Sequence, residues 1–338
     1  MASEKVLGIG IPSYNGEPYL DRCIPTFLNP EIMDKIEVII VNDGSKDRTK
    51  EIAEKYHKMY PDTVKVINKE NGGHGSAVNS ALEYTSAKYY KVVDCDDWVD
   101  SKQLAKLVEF LETTDADLVS NNYETVDMVT GVTNLIANPA IEYGKEYKFD
   151  EIDFNKVYMS IHSTTYKTEL LRKNNIRLQE HTFFVDVEYQ LLPVPFINTI
   201  VFLDNVVYKY MVGNVNQSVD KNNFVRRYDH HNRVVCRILE FLKTAKMTHA
   251  QEKYVENIFT KVLYTHYSLS CYYDSDKVRG KQRAKEFDAY LKENNTYYYE
   301  KMGTLYNDIS RLRKNGFCIE DNEKNVSKAR LIKRILFN

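Results

Sequence analysis

The first hundred residues alternate short apolar segments with amphipathic helical patterns, and this alternation constrains the fold more than any other feature of the sequence. Four apolar, β-rich runs bounded by turn residues occur at residues 5–11, 36–41, 64–67 and 89–93. Between and after them, apolar residues recur at i, i+3, i+4 and i+7 spacings, as in helices that pack on one face. The order βαβαβαβα therefore predicts an α/β fold with a mostly parallel central sheet and helices on both faces.

The rest of the chain shows two further patterns. From about residue 115 to residue 220, loops alternate with short strand-like pieces. Beyond residue 221 the apolar residues form helical stripes, one beginning at Val234 and another at Val255. A length of 338 residues with 43% hydrophobic residues allows one enlarged domain or two domains. We therefore predict a catalytic domain at residues 1–220 and a helical C-terminal region at residues 221–338.

Composition and charge argue against several classes of function. The chain has 46 Lys and Arg against 48 Asp and Glu, a formal net charge of -2, so it lacks the basic balance typical of nucleic-acid binding. Five cysteines without paired spacing argue against a disulfide framework and against a zinc site. The N-terminus lacks the apolar core of a signal peptide, and no run approaches the about 18 apolar residues of a membrane span. We expect a cytoplasmic protein with no nucleic-acid partner.

Polar, turn-rich loops follow all four predicted strands, at residues 12–16 (PSYNG), 42–45 (NDGS), 71–75 (NGGHG) and 94–97 (DCDD). In an open parallel sheet, ligands bind beyond the carboxyl ends of the strands, where such loops converge. Taken singly, the Asp-Gly turn is an ordinary turn with a helix cap, and the glycine-rich loop matches neither a dinucleotide fingerprint nor a P-loop. Their shared position at the strand ends is what predicts a ligand site.

The fourth loop carries three carboxylates in four residues, those of Asp94, Asp96 and Asp97. These groups repel one another unless a cation or solvent screens them. Carboxylate oxygens suit Mg²⁺ or Mn²⁺, which proteins usually hold with one or two carboxylates and substrate phosphates. The sequence therefore indicates a divalent metal site, with a solvated acidic loop that caps the next helix as the alternative.

Together, in order and in spacing, the four loops resemble the nucleotide-sugar half of family 2 glycosyltransferases with the GT-A fold. The resemblance is strong over about residues 5–120, fainter to about residue 220, and absent beyond it. It implies that residues 1–120 bind a nucleotide sugar and that residues 121–220 form the acceptor side. It also implies a metal-dependent transferase that uses Mn²⁺ or Mg²⁺.

The resemblance assigns site residues within these loops. The donor nucleotide is expected to contact Pro12, Ser13, Tyr14, Asp43, Asn71, Gly72, Gly73, Asp94 and Cys95. By the same resemblance, Asp43 meets the base, Asp94 meets the ribose and Asp96 binds the metal. Asp97 is a further candidate, for metal ligation, for capping the next helix or for contact with the donor sugar.

Residues 183–189 (FFVDVEY) resemble the segment that supplies the catalytic base in this family, where the motif is often Glu-Asp. Here Val185 stands in the first place of the pair, which leaves Asp186 as the predicted base. Glu188 is the second candidate and Glu180 the third. On a strand, Asp186 and Glu188 would share one face, and solvent exposure alone would explain that pattern.

The segment at residues 208–218 resembles the end of the family's catalytic domain, where a loop closes over the donor diphosphate. Family members often carry an Arg near Asn214, and this chain does not. Arg226 and His230, with their neighbours Arg227 and His231, are close enough in sequence to replace it. The alternative is that they are surface or helix-packing residues.

The resemblance implies transfer of one sugar from a nucleotide-diphosphate sugar, with a UDP-sugar favoured, to a hydroxyl acceptor with inversion. The acceptor would be a glycan, glycolipid or glycoprotein in polysaccharide or glycoconjugate synthesis. Processive synthases of the family carry a Gln-x-x-Arg-Trp segment and membrane spans, whereas the only Trp here is Trp98. One alternative is a sugar-nucleotide nucleotidyltransferase, although residues 12–16 lack the Lys or Arg expected there. Another is an inactive family member that serves as an assembly scaffold.

Residues 324–337 combine five basic residues with apolar ones in the pattern of a basic amphipathic helix. Such a helix could lie on anionic lipid at the inner face of the membrane. It could equally dock on the enzyme itself or on a second copy, which would form a homodimer through the helical region. The sequence leaves these alternatives open.

Overall fold

The computed structural model of the chain describes residues 5–213 and 221–318, and for residues 221 and 222 the backbone alone. The chain divides into two compact units, Met1–Asn214 with Lys246–Gln251, and Val215–Ala245 with Glu252–Asn338. The predicted amphipathic segment at 324–337 lies outside the described residues, as does the end of the predicted loop at 214–218.

The first unit contains the described strands, which are β1 Leu7–Ser13, β2 Ile36–Asp43, β3 Val64–Lys69, β4 Tyr89–Val92, β5 Trp98–Val99, β6 Leu118–Asp127, β7 Thr133–Ile136, β8 Glu146–Lys148, β9 Thr164–Lys167 and β10 Thr199–Val212. The described α-helices are α1 Glu17–Cys23, α2 Thr49–Met59, α3 His74–Tyr84, α4 Ser101–Thr113, α5 Thr168–Lys173, α6 Asp186–Leu191, α7 Lys221–Arg226, α8 Tyr228–Thr244, α9 His249–Ser268, α10 Lys277–Asn294, α11 Thr296–Leu305 and α12 Asn307–Lys314. Short 3₁₀ segments lie at Ile24–Phe27, Phe149–Glu151 and Val194–Phe196, and a π-helical segment lies at Leu269–Tyr273.

One sheet carries the strands in the order β3-β2-β1-β4-β9-β6-β10-β5, with β7 on β6 and β8 on β10. The first four strands pair in parallel, as the alternating sequence pattern predicts. Beyond β4 the sheet is mixed, because β9 runs antiparallel to both β4 and β6 while β6 and β10 are parallel. The predicted α/β class with helices around a central sheet is confirmed, and its antiparallel pairs lie in the region where the sequence pattern is mixed.

Strand β1 lies at the centre of the parallel part, and every residue in it is buried. Its apolar side chains join those of β2 and of the covering helices in one core, which explains the continuous apolarity of both strands. Gly10 is required by close packing, since a Cβ there would lie 2.3 Å from the hydroxyl of Tyr90 and 2.8 Å from Ala81. The hydroxyl of Tyr90 donates to the carbonyl of Val78, so β4 and α3 pack tightly across β1.

Asp100 is the N-cap residue of helix α4, which begins at Ser101. Its side chain accepts hydrogen bonds from the backbone N–H groups of Lys102 and Gln103, each at 3.0 Å, and so satisfies two free donors of the first turn. The sequence indicated that the acidic loop at residues 94–97 could cap the next helix, but the residue that caps α4 is Asp100.

The second unit is helical in its described part, as predicted from the stripes that begin at Val234 and Val255. Val234 lies buried in α8 and Val255 in α9. None of the helices in the described ranges is long and apolar enough to cross a membrane. All five cysteines of the chain are unpaired.

Two buried histidines face each other within the second unit. The Nδ1 atoms of His231 and His266 lie 3.0 Å apart, and the two rings are nearly parallel, with an interplanar angle of 11°. Two facing ring nitrogens form a hydrogen bond only if one carries a proton and the other does not. Burial lowers the pKa of His231 to about 4 and also lowers the pKa of His266, whose charged form is further disfavoured by His231 and Arg283.

This pair predicts that the second unit loses stability in mild acid. Above pH about 6.5 both rings are neutral in the folded and the unfolded chain, so they contribute no pH dependence. As the pH falls from about 6.5 towards 4, the unfolded chain binds protons that the folded chain excludes. For His231 alone, stability should fall by about 3 kcal/mol over this range. Urea unfolding at several pH values, followed for the wild type and for His231→Asn, measures the effect. An equally steep pH dependence in both proteins would contradict it.

Candidate active site

The carboxyl ends of β1, β2 and β4 bring the predicted loops into contact. The backbone N–H of Asn15, in the first loop, donates to the hydroxyl of Ser45 in the second at 3.0 Å. A Cβ placed on Gly16 would lie 3.2 Å from the sulfur of Cys95, so the first loop also adjoins the fourth. Contacts between loops that are about 30 and 80 residues apart are the expected result of parallel strands ending at one edge of a sheet.

The residues predicted to line the nucleotide pocket in the first loop differ in exposure. Pro12 and Ser13 are the last residues of β1 and are buried, with the Ser13 hydroxyl donating to the carbonyl of Ile11. Tyr14 follows the strand and is half exposed. Tyr14 is therefore the side chain of this loop that a ligand can reach most readily.

Asp43 is a buried carboxylate that orders the glycine-rich loop. Its Oδ1 accepts from the backbone N–H of Gly72 at 2.9 Å and from the Nζ of Lys69 at 3.0 Å, while Oδ2 accepts from the backbone N–H of Gly73 at 2.7 Å. Asn71 is exposed and donates to the backbone carbonyl of Asp43. Both carboxylate oxygens thus have protein donors, and the predicted contact of Asp43 with a base stays a prediction.

The glycine-rich loop packs closely against the segment that leads to helix α6. Gly73 has a φ of +84°, a left-handed conformation that favours glycine, and a Cβ there would lie 3.3 Å from the backbone nitrogen of His181. The N–H of His181 donates to the carbonyl of Gly72. At Gly75 a Cβ would lie 2.3 Å from the carbonyl oxygen of Gln179. The glycines therefore allow two backbone segments about a hundred residues apart to touch.

His74 pairs with Asp94, an interaction that the sequence did not predict. The Nε2 of His74 lies 2.8 Å from Oδ1 of Asp94. Burial disfavours the charged ring, yet the negative charge and the hydrogen bond of Asp94 raise the pKa of His74 above its ordinary value. Burial likewise disfavours the Asp94 carboxylate, and His74 more than offsets this and lowers the pKa of Asp94. The pair orients Asp94 at the end of β4.

Asp97 ties the acidic loop to strand β10. Its Oδ2 accepts from the hydroxyl of Tyr208 at 2.6 Å and its Oδ1 from the backbone N–H of Met211 at 2.7 Å. The side chain is buried, and burial together with the charges of Asp96 and Asp94 raises its pKa. Helix capping, one of the three roles predicted for Asp97, is therefore wrong, because Asp100 caps α4. Both Asp97 oxygens are already engaged with β10.

Asp96 lies between these two carboxylates and is partly exposed. Desolvation and the charge of Asp94 raise its pKa to about 6, against a smaller opposing effect of Arg22. Arg22, on α1, donates to the backbone carbonyl of Asp96, and its guanidinium carbon lies 4.3 Å from the ring centroid of Trp98. Burial and the anionic neighbour Asp94 thus disfavour the charged form of Asp96, and a bound cation would stabilise it.

A three-residue group could hold a metal ion within the described part of the chain. Asp94, Asp97 and His162 each bring one ligand atom within 4.8 Å of the others. The Nδ1 of His162 is buried without a hydrogen-bond partner, and burial lowers the pKa of His162 to about 4, which keeps the ring neutral. The two carboxylates of this group suit Mg²⁺ or Mn²⁺, whereas imidazole suits Zn, Cu, Fe or Ni, so the carboxylate part of the donor set fits the predicted cofactor. Asp96, the predicted ligand, is outside this group, and sequence reasoning did not identify His162.

The surroundings of His162 are aromatic and basic. Its ring stacks on Tyr210 at 4.3 Å between centroids, and its backbone carbonyl accepts from the Nζ of Lys91 at 2.8 Å. Lys91 is completely buried on β4, and desolvation lowers its pKa to about 7. Lys91, His162 and Tyr210 lie next to the acidic loop, because Lys91 is on β4 and precedes Asp94 by only three residues.

Asp186, the predicted base, is the first residue of helix α6 and is exposed to solvent. Protein atoms still crowd around it, and this desolvation raises its pKa, while the positive charge of His74 opposes the rise. Asp94 acts in the same direction as desolvation. These mutual effects place Asp186 within electrostatic range of the His74–Asp94 pair, so the predicted base adjoins the acidic loop.

Glu188 does not share the position of Asp186, because the segment is helical and not extended. Residues two apart on a helix are separated by about 200° around its axis. Glu188 is fully buried and accepts hydrogen bonds from the backbone N–H and the side-chain amide of Gln179. The second-ranked candidate for the base is thereby excluded from the solvent-exposed site, and the third, Glu180, is exposed.

Asn79 and Glu188 together hold the segment that carries Asp186. The side-chain amide of Asn79 donates to the carbonyl of Leu178 and accepts from its N–H, both at 2.9 Å. Glu188, at the other end of the segment, accepts a hydrogen bond from the backbone N–H of Gln179, the residue after Leu178. Helix α3, which starts at the glycine-rich loop, therefore positions both that loop and the base.

This arrangement predicts a specific kinetic effect of Glu188→Gln. The new side-chain amide places an N–H donor opposite the N–H groups of Gln179, so a buried hydrogen bond is lost at a cost of about 1–3 kcal/mol in stability. Without this bond, the segment that carries Asp186 can shift. We expect kcat to fall about 10- to 100-fold with the donor KM nearly unchanged, since misplacing a reacting group by about 1 Å costs this much. Steady-state kinetics of Glu188→Gln, compared with those of Glu180→Gln at an exposed neighbouring residue, tests this effect on kcat. A rise in donor KM with normal kcat would contradict the positioning function.

The remaining two candidates, Arg226 and His230, belong to the second unit. Arg226 donates to the side-chain oxygen of Asn223, and the Nδ1 of His230 lies 2.8 Å from a guanidinium nitrogen of Arg233. Their predicted function at the donor diphosphate stays a prediction.

The fold and this strand-end site define a class of protein. Residues 9–174 match the family model described as glycosyl transferase family 2. This matched segment, just under half of the chain, belongs to glycosyl transferase family 2, and the first unit that contains it has a GT-A-like fold.

Particular relatives are similar over part of their length. Uncharacterized glycosyltransferase EpsJ of Bacillus subtilis is 40% identical over 114 residues, which is 34% of this chain and 33% of EpsJ. Hyaluronan synthase of Pasteurella multocida is 37% identical over 135 residues, 39% of this chain and 13% of the synthase. The match thus spans about a third or less of these proteins.

Solved structures share the fold. TarS 1–349 of S. aureus, in complex with UDP-GlcNAc, is 21% identical with a TM-score of 0.63, and the match covers 92% of each chain. Mannosyltransferase PcManGT from Pyrobaculum calidifontis, in complex with GDP-Man and Mn²⁺, is 16% identical with a TM-score of 0.50, over 89% of this chain and 84% of that one. At these identities the similarity shows the fold alone.

Proposed function

We propose that this glycosyltransferase moves one sugar from a nucleotide-diphosphate sugar, with a UDP-sugar favoured, to a hydroxyl of a glycan, glycolipid or glycoprotein, with inversion at the anomeric carbon. The observation that carries the proposal is the convergence of Asp186, His74 and Asp94 at the carboxyl ends of the parallel strands. The nucleotide sugars held by TarS and PcManGT support the donor class.

Asp186 is the proposed general base. Its exposure lets an acceptor hydroxyl reach the carboxylate, and its raised pKa brings its basicity closer to neutral pH than that of an ordinary carboxylate. The base removes the proton of the acceptor hydroxyl as the oxygen attacks the anomeric carbon of the donor. One carboxylate that acts as the base on the acceptor would give direct displacement and therefore inversion.

Asp96 is the proposed holder of Mn²⁺ or Mg²⁺, and Asp94, Asp97 and the neutral ring of His162, which together could hold a metal ion, are further ligand candidates. A bound divalent ion supplies Lewis-acid stabilisation of the departing diphosphate. His74 keeps Asp94 ionised and oriented, and Arg22 supports the backbone of Asp96.

The donor nucleotide is proposed to bind over the loops that Asp43 orders. Tyr14 offers an exposed ring, and the packing of the glycine-rich loop against residues 179–181 gives this side of the site a fixed backbone. Asp43, Asp94 and Cys95 are the proposed polar and loop contacts of the base and ribose. Residues 121–220 are proposed to form the acceptor side.

Binding of nucleotide diphosphates tests this donor assignment. UDP or GDP at about 100 times its Kd, with Mn²⁺, should stabilise the protein by about 2.7 kcal/mol, a Tm rise of about 5 °C. The rise should disappear with EDTA. If no nucleoside diphosphate raises the Tm with either Mn²⁺ or Mg²⁺, the donor assignment is wrong.

A further inference from the structure

A cavity of about 390 Å³ lies within the second unit, apart from the residues of the proposed reaction. It is formed by the end of α7, the turn before α10 and the first half of α10, and its lining residues are Val225, Arg226, Tyr273, Ser275, Arg279 and Arg283. The volume falls in the range of about 300–1,000 Å³ that small-molecule sites occupy. The described lining carries three positive charges and no carboxylate.

A single buried carboxylate anchors two of the three arginines. Asp274 is completely buried, and its oxygens accept from Nε and Nη2 of Arg279 at 2.9 and 2.6 Å and from Nη1 of Arg283 at 3.2 Å. The single carboxylate of Asp274 neutralises one of the two guanidinium groups that it contacts, so Arg279, Arg283 and Asp274 together carry a net positive charge. Asp229, which lies 3.9 Å from Arg283, and Asp276, whose charge acts on Arg279, add little because both are exposed.

The arginines are held in place before any ligand arrives. Arg279 is fixed by its two parallel bonds to Asp274, and its Nη1 makes no bond to that carboxylate. The guanidinium of Arg283 lies 4.3 Å from the ring centroid of Tyr228. Preorganised guanidinium groups lose little entropy on binding and match the oxygen geometry of phosphate.

The third arginine completes the cationic rim. Arg226 is exposed, donates to the side-chain oxygen of Asn223 and does not contact Asp274. Ser275 adds an exposed residue with a hydroxyl group, which can donate to an anion. Three guanidinium groups and a hydroxyl around one cavity are the chemistry that recognises a phosphate group.

We propose that this cavity is a phosphate-binding site, made of residues other than those proposed to bind the donor, that takes a phosphate ester of a soluble ligand or of a lipid head group. The assignment goes beyond the proposed transfer reaction, which does not use these residues. It also gives Arg226 a different ligand from the donor diphosphate predicted from the sequence.

Binding to the full-length chain tests the proposal. The donor site is first saturated with UDP and Mg²⁺, and calorimetry then measures inorganic phosphate and glycerol phosphate, while co-sedimentation measures phosphatidylcholine vesicles with and without phosphatidylglycerol. We expect binding by inorganic phosphate and by at least one of the two esters. Arg226→Gln should weaken this binding about tenfold, and Arg311→Gln, an exposed arginine on α12 outside the lining, should change it less than twofold.

The outcomes separate the alternatives. When inorganic phosphate binds, binding of glycerol phosphate as well assigns a soluble ester, and binding of phosphatidylglycerol vesicles without glycerol phosphate assigns a lipid head group; each supports the proposal if Arg226→Gln weakens it selectively. Three results overturn it: no binding of inorganic phosphate with the donor site saturated by UDP, binding of neither ester, or equal weakening by Arg311→Gln. Nucleotide-sugar turnover measured on the same samples shows independently whether the proposed function holds.

Discussion

Asp186→Asn should lower kcat of sugar transfer about 10²- to 10⁴-fold while leaving the affinity for the nucleotide sugar nearly unchanged. The reason is that Asp186 would act only on the acceptor proton, and general base catalysis contributes about this much. The amide has nearly the same size, and Asp186 is exposed at the start of α6, so folding should be unaffected. Initial rates at saturating donor, beside UDP binding by calorimetry, give both quantities.

Glu180→Gln is the matched control for this variant. Glu180 lies on the same segment, is also exposed and ranks third among the sequence candidates for the base. Its substitution removes the same charge and should change kcat less than about twofold. If Glu180→Gln were the inactive variant and Asp186→Asn retained activity, the assignment of the base would be overturned.

Asp96→Asn should produce the second large effect, a loss of metal dependence with a fall in kcat/KM of about 10³-fold. A metal that neutralises a leaving diphosphate contributes several kcal/mol, and about 1.4 kcal/mol corresponds to a factor of ten. Because the pKa of Asp96 is about 6 in the metal-free chain, metal affinity should also fall as the pH drops below that value. Titration of activity with Mn²⁺ for the wild type and the variant measures the difference.

Asp204→Asn controls for the change in net charge. Asp204 is exposed on β10, and its substitution should leave the Mn²⁺ dependence as in the wild type. A normal Mn²⁺ response in Asp96→Asn would contradict metal binding by Asp96 and would point to Asp94, Asp97 and His162 as the ligands.

The half of the site built by strand ends was predictable from sequence. Apolar runs locate the strands, parallel topology places their carboxyl ends together, and the loops at 12–16, 42–45, 71–75 and 94–97 therefore converge. The hydrogen bonds of Asp43 to the glycine-rich loop agree with this convergence. These features depend on local pattern and on a general rule of topology.

The remaining part depends on long-range packing that no local pattern encodes. His162 reaches the acidic loop from a segment nearly seventy residues away, and Arg22 reaches it from α1. Only the resemblance to the family motif ranked Asp186 above Glu188, because the difference between a strand and the short helix α6 decides which of the two side chains is buried. A six-residue helix has too few residues to show a helical period, so tertiary packing determines it.

Release of nucleoside diphosphate from nucleotide sugars tests the central claim most directly. The chain is incubated with individual UDP- and GDP-sugars, Mn²⁺ and a mixture of glycan acceptors, and slow donor hydrolysis without acceptor also counts as turnover. We predict Mn²⁺-dependent release from at least one donor, reduced at least about 10²-fold in Asp186→Asn. No release from any nucleotide sugar, or equal release by the wild type and Asp186→Asn, would contradict it.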